Sequence, residues 1–192
     1  MKRENSQRRR PGSRELADRI LIVCGGVVTE PGYFEGLRQL HRNPAIKVVI
    51  KNRGVDPTSL VRYAIKLHDN EPDSFDQVWC IVDVDEFDLG PALALAARKN
   101  ISMAVSNPCF ETWLVLHFTD HTAPLSCYAE AKRALLKFVP DYGKSELEFA
   151  RYADGVGPAV DRAEKLAELG REHLTNPASG VWPLVQMFGR AM

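Results

Sequence analysis

The chain has 192 residues, 45% hydrophobic and 26% charged, which is the profile of an ordinary folded domain and excludes collagenous, low-complexity or disulfide-stapled classes. That length buries one sizeable core without staples, and no run is long and apolar enough for a membrane span. The formal net charge is zero, which excludes a body coated in basic residues for wrapping DNA.

The charge is nevertheless uneven. Residues 1–14 hold Lys2, Arg3, Arg8, Arg9, Arg10 and Arg14 against Glu4 alone, leaving +5 there and −5 on the remainder. Such an arm, with Arg8, Arg9 and Arg10 at its centre, either neutralises nucleic-acid phosphates or is a solvated tail. No apolar signal core follows it directly, so a secretory leader is not expected.

Ile20–Val23 is a continuous apolar run, as in a strand covered on both faces. Thr29 is placed to cap a helix with Glu30 and Pro31 in its first turn, and Tyr33, Phe34, Leu37 and Leu40 follow at helical spacing. Ile46–Ile50 reads as a second strand. Asp56-Pro57 opens a second helix carrying Leu60, Val61, Ala64, Ile65 and Leu67. Val78–Val82 is a third strand, Pro91–Lys99 a helix and Ile101–Val105 a fourth strand. From Phe110 onward the pattern predicts helices only, over about 110–119, 127–139, 145–153, 156–174 and 180–190. The expected fold is α/β: a mostly parallel four-stranded sheet sandwiched by helices over 17–110, preceded by a flexible arm (1–16) and followed by a helical C-terminal extension (111–192) packed on it.

Ligands of such sheets bind at the carboxyl ends of the strands. Asp83, Asp85, Glu86 and Asp88 cluster at one of these ends. In an extended segment Asp83 and Asp85 share a face, where two carboxylates repel unless something bridges them. Mg²⁺ (or Mn²⁺) suits such oxygen ligands, although acidic residues are also common in plain loops. Gly25-Gly26 ends the first strand without a dinucleotide or P-loop pattern, so a tight strand-to-helix turn is the favoured reading. Asn107-Pro108 makes a good turn before Phe110 and Glu111. His117 and His121 are four apart, but without an accompanying glutamate motif they read as structural. Cys24, Cys80, Cys109 and Cys127 form no C-x-x-C pair and read as reduced structural thiols of a cytoplasmic protein.

Several of these segments together resemble the RloB-like family. Ile20-Leu21-Ile22-Val23-Cys24-Gly25-Gly26, Thr29-Glu30-Pro31 and Tyr33-Phe34 are similar to its opening. Val82-Asp83-Val84-Asp85 looks like its acidic motif. Ser106-Asn107-Pro108-Cys109-Phe110-Glu111, Trp113 and Leu116-His117-Phe118 resemble its most specific segment, and Tyr142, Lys144, Ala163, Asn176 and Pro177 fit its tail. The resemblance implies a Toprim-like fold and a role in bacterial phage defence. It also implies a nucleic-acid target, a partner ATPase and Mg²⁺ held by the aspartates after the third strand. It implies a general acid or base after the first strand too, but Gly25 stands where the family pattern has glutamate. Glu30 and Glu111 are the remaining candidates for that work, with Gly25, Gly26 and Asn107 lining the pocket. Two functions stay open: a metal-dependent nuclease, or a catalytically degenerate module that binds nucleic acid or a defence partner. A phosphatase using Asp83 as nucleophile is disfavoured, since that chemistry usually places its D-x-D after the first strand.

Overall fold

In a computed structural model of the chain, residues 18–42, 44–50, 56–84, 87–143 and 147–189 are described. Arg8, Arg9, Arg10, Asp85, Glu86 and Lys144 lie outside them. The apolar run after the arm forms β1 (Ile20–Cys24), buried at every position. Burial on both faces is what an unbroken Ile-Leu-Ile-Val-Cys segment favours. α1 (Thr29–Leu40), β2 (Ile46–Ile50), α2 (Pro57–Asn70), β3 (Gln77–Asp83), α3 (Gly90–Arg98) and β4 (Ser102–Asn107) follow. The strand order is β2-β1-β3-β4, all parallel.

Alternation along the strands sorts the core into two layers. Leu21, Val23, Val78, Cys80, Val82 and Val105 pack with Leu60, Val61 and Ala64 of α2 and Ala92 and Ala96 of α3. Ile20, Ile22, Cys24, Trp79, Ile81 and Ala104 face the other way, onto Tyr33, Phe34 and Leu37 of α1. The same second layer takes the C-terminal helices α4 (Glu111–Leu116), α5 (Tyr128–Leu135), α6 (Val156–Leu166) and α7 (Trp182–Gly189). Phe188 of α7 stacks on Phe34 at 6.1 Å between ring centroids.

The α/β class and the parallel core follow the sequence pattern, and four details correct it. A fifth strand, β5 (Ala178–Ser179), pairs antiparallel with β4, so the segment beyond Phe110 is not wholly helical. Of the helix expected over 145–153, the described residues 147–153 form no α-helix; 3₁₀ turns stand there at Phe149–Arg151 and Ala153–Gly155. The helix expected over 156–174 stops at Leu166, because Ala167 is extended and Gly170 turns left-handed at φ +84°. Thr29 is the first residue of α1 rather than its cap; Val28 occupies the cap position and makes no side-chain capping bond. Leu40, last of the helical series, is 52% exposed. Asp56 does cap α2, accepting from the Ser59 amide at 3.0 Å.

Gly155 marks the tightest seam between the tail turns and α4. A Cβ there would lie 2.5 Å from the His117 carbonyl oxygen and 2.8 Å from the His117 Cβ. Backbone cannot swing aside as a long side chain can. Gly155→Ala is therefore expected to destabilise the protein by about 1–3 kcal/mol, the usual cost of overpacking. Urea unfolding checks this; an unchanged midpoint would contradict the close approach.

Candidate active site at the carboxyl edge of the sheet

β1, β3 and β4 are neighbours, and their carboxyl ends bring several polar groups to one edge. The β1 ladder runs one residue past the strand, where the Gly25 amide donates to the Ile81 carbonyl at 3.3 Å. A Cβ on Gly25 would meet that oxygen at 3.5 Å and Leu60 Cδ2 at 3.8 Å, which is ordinary contact. Gly26 is different: a Cβ there would fall 2.0 and 2.1 Å from the two carboxylate oxygens of Glu30. Glu30, buried in the first turn of α1, therefore folds its carboxylate back over the β1–α1 turn. The position also suits the positive end of the helix dipole. Burial first, and then the Glu30 charge, push the Cys24 thiol well above its usual range.

Asp83 ends β3, paired across the ladder with Ser106 of β4. Val82 and Val84 both pack into the α2–α3 layer, so alternation turns Asp83 to the opposite face, the one covered by α1 and α4. Glu111 opens α4 on that face and is 1% exposed. Between them lies Cys109, after the cis Asn107–Pro108 bond. Burial, the charges of Glu111 and Asp83, and a hydrogen bond to Glu111 all hold the Cys109 thiol in its protonated form. Tyr142 donates its hydroxyl hydrogen to Glu111 Oε1 at 2.7 Å, with Thr29 Oγ1 3.5 Å from the same hydroxyl. Burial, followed by the Glu111 charge, pushes the Tyr142 phenol far up, so it remains a donor.

The structure thus brings Glu30, Asp83 and Glu111 to one edge and one face, together with the Gly25-Gly26 turn. Asn107 points elsewhere: its Nδ2 lies 3.4 Å from the Glu172 and His173 carbonyls, and its Oδ1 accepts from Asn176 at 3.0 Å. Its side chain clamps the 172–176 segment to β4. The sequence reading gives Tyr142, Thr29 and Cys109 no place in the site itself. Tyr142 lies 31 positions from Glu111, and no periodicity reports a contact of that kind.

Among the described residues no group of three or more His, Cys, Asp or Glu side chains is placed to hold a metal ion. Asp83 supplies a hard oxygen donor, and a partly hydrated Mg²⁺ needs only one or two such carboxylates. The donor chemistry therefore suits this ion, and Asp83 would be its ligand among the described residues.

His117 does not pair with His121. It is 5% exposed, with Nδ1 at 3.0 Å from the Trp113 carbonyl and Nε2 at 3.0 Å from the Tyr33 hydroxyl. The carbonyl can only accept, so Nδ1 carries the proton and Nε2 accepts from Tyr33. Burial lowers the His117 pKa to about 4 from 6.5. A depressed histidine leaves stability intact above the unfolded value and withdraws it as pH falls from 6.5 towards 4. The loss amounts to about 3 kcal/mol. Urea midpoints of the wild type should fall across that window, and His117→Gln should flatten this part of the curve. Parallel curves for the two proteins would contradict the assignment.

A family model described as RloB-like protein matches residues 20–188. No curated protein and no solved structure shows significant similarity. No helix among the described residues is long and apolar enough to cross a membrane.

Proposed function

The chain belongs to the RloB-like family, and from that premise we propose that it is a Toprim-like, Mg²⁺-dependent nuclease of bacterial phage defence. It acts in the cytoplasm on nucleic acid, together with a partner ATPase. The observation that carries this reading is that Glu30, Asp83 and Glu111 all stand at the carboxyl edge of one parallel sheet, at the start of α1, the end of β3 and the start of α4.

In this reading Asp83 holds the ion together with Asp85. A bound Mg²⁺ supplies charge neutralisation and orientation at a phosphodiester (Mn²⁺ can substitute). Glu30 lies over the turn where the family pattern has its glutamate, and it or Glu111 takes the proton of an attacking water. Gly25 keeps the β1–α1 turn free of a bulky side chain, while Gly26 makes room for the Glu30 carboxylate. Arg8, Arg9 and Arg10 neutralise the nucleic-acid backbone.

A second reading is favoured by Gly25 itself. A glycine offers no side chain for proton transfer, and a chain without that group can serve as a module that binds nucleic acid or a defence partner without cutting. Incubating the full chain with single- and double-stranded DNA and RNA, in Mg²⁺, Mn²⁺ or EDTA, separates the two. Metal-dependent cleavage that disappears in Asp83→Asn supports the nuclease. Retention of nucleic acid with no cleavage under any metal supports the module.

A further inference from the structure

We propose that Tyr142 is a positioning residue that fixes the carboxylate of Glu111 at the edge of the sheet; the inference rests on the site reading above. Glu111 is almost wholly buried, so its orientation is set by its hydrogen-bond donors rather than by water. Two donors are identified: the Tyr142 hydroxyl at 2.7 Å and the Cys109 thiol. They differ in kind. Cys109 lies two residues from Glu111 in the same turn, so its contact is local. Tyr142 comes from the segment after α5, 31 positions away, and its hydroxyl also approaches Thr29 at the start of α1. One phenol therefore ties the first turns of α1 and α4, which flank β1 and β4, to a third part of the chain.

The phenol is suited to this work. It is buried and held protonated by burial and by the Glu111 charge, so it remains a donor while the carboxylate remains an acceptor. Its other side borders a cavity of about 480 Å³, lined also by Asp141, Leu147, Glu148, Arg151 and Tyr152. Arg151 there is held by Asp141 and Glu148, so it does not compete for Glu111. Removing the Tyr142 oxygen would leave the ring packing in place and take away the donor that reaches the Glu111 carboxylate from across the fold. In the reading above Glu111 would face the water shell of an ion held at Asp83, and loss of an outer-shell group of this kind typically changes metal affinity or activity 10–100-fold.

Tyr142→Phe tests this with two readouts on the full chain. The first is the infrared carboxylate band of Glu111 in ¹³C-glutamate-labelled protein, identified by its loss in Glu111→Gln. The second is the Kd for Mn²⁺. The expected result is a displaced Glu111 band in Tyr142→Phe, unchanged circular dichroism and Mn²⁺ binding weaker by about tenfold. An unmoved band overturns the inference, because the phenol would then only fill space. A displaced band with an equal Kd overturns it as well, since the hydrogen bond would then be structural alone. If the wild type binds no Mn²⁺, the metal-dependent reading fails, and the band alone decides whether Tyr142 orients Glu111. Should Tyr142→Phe fail to fold, Thr29→Val serves in its place: it weakens the Tyr142 anchor, and a smaller displacement of the same band is expected, an unmoved one again counting against the inference.

Discussion

Gly25→Glu is expected to raise Mg²⁺-dependent cleavage of nucleic acid by roughly 10²–10⁴-fold, the usual worth of a positioned general acid or base. The geometry permits it. The Cβ would sit 3.5 Å from the Ile81 oxygen and 3.8 Å from Leu60 Cδ2, so no neighbour must move. Gly25 also has no left-handed φ that a side chain would strain. The new carboxylate would stand at the same carboxyl edge as Glu30, Asp83 and Glu111, entering it from the side of β1 that faces Leu60. Initial rates on single- and double-stranded substrates measure the gain. A folded Gly25→Glu protein with wild-type rates on every substrate would favour the binding module.

Asp83→Asn in the Gly25→Glu background is expected to remove that gain, lowering the rate again by about 10²-fold or more. The amide keeps the shape of the side chain, so the packing of Val82 and Val84 is undisturbed. What changes is the charge available to hold a divalent cation. Rates measured across a Mg²⁺ titration separate the cases: a weakened ion site recovers activity at high Mg²⁺, whereas a lost base does not. Full activity in the double variant would mean that Asp83 has no part in the chemistry.

The elements that were legible in the sequence are those whose signals are local. β1 announces itself as an unbroken apolar run, and α2 by the Asp56-Pro57 opening that does cap it. The carboxyl-edge rule then points to Asp83 and to the Asn107–Glu111 segment from the strand pattern alone. The illegible parts depend on distant partners. β5 is two residues long and exists because Ser106 and Asn107 offer it a ladder. The stretch 145–153 has helical spacing, yet Phe149 packs against Tyr33 at 5.3 Å and against the bare face of Gly36. The helix after Gly155 stops early, and the Gly170 amide that follows is taken by the Glu172 carboxylate at 3.0 Å. Tyr142 belongs to the same class: its value lies in a contact across the fold.

Thermal unfolding in a Mn²⁺ titration tests most directly whether the acidic edge is a cation site. An ion that binds the folded state preferentially raises Tm as its concentration rises. The wild type should show that rise, and Asp83→Asn, Asp85→Asn should not. Equal shifts in both proteins would contradict the account, since the ion would then act elsewhere and the aspartates would be solvated loop residues.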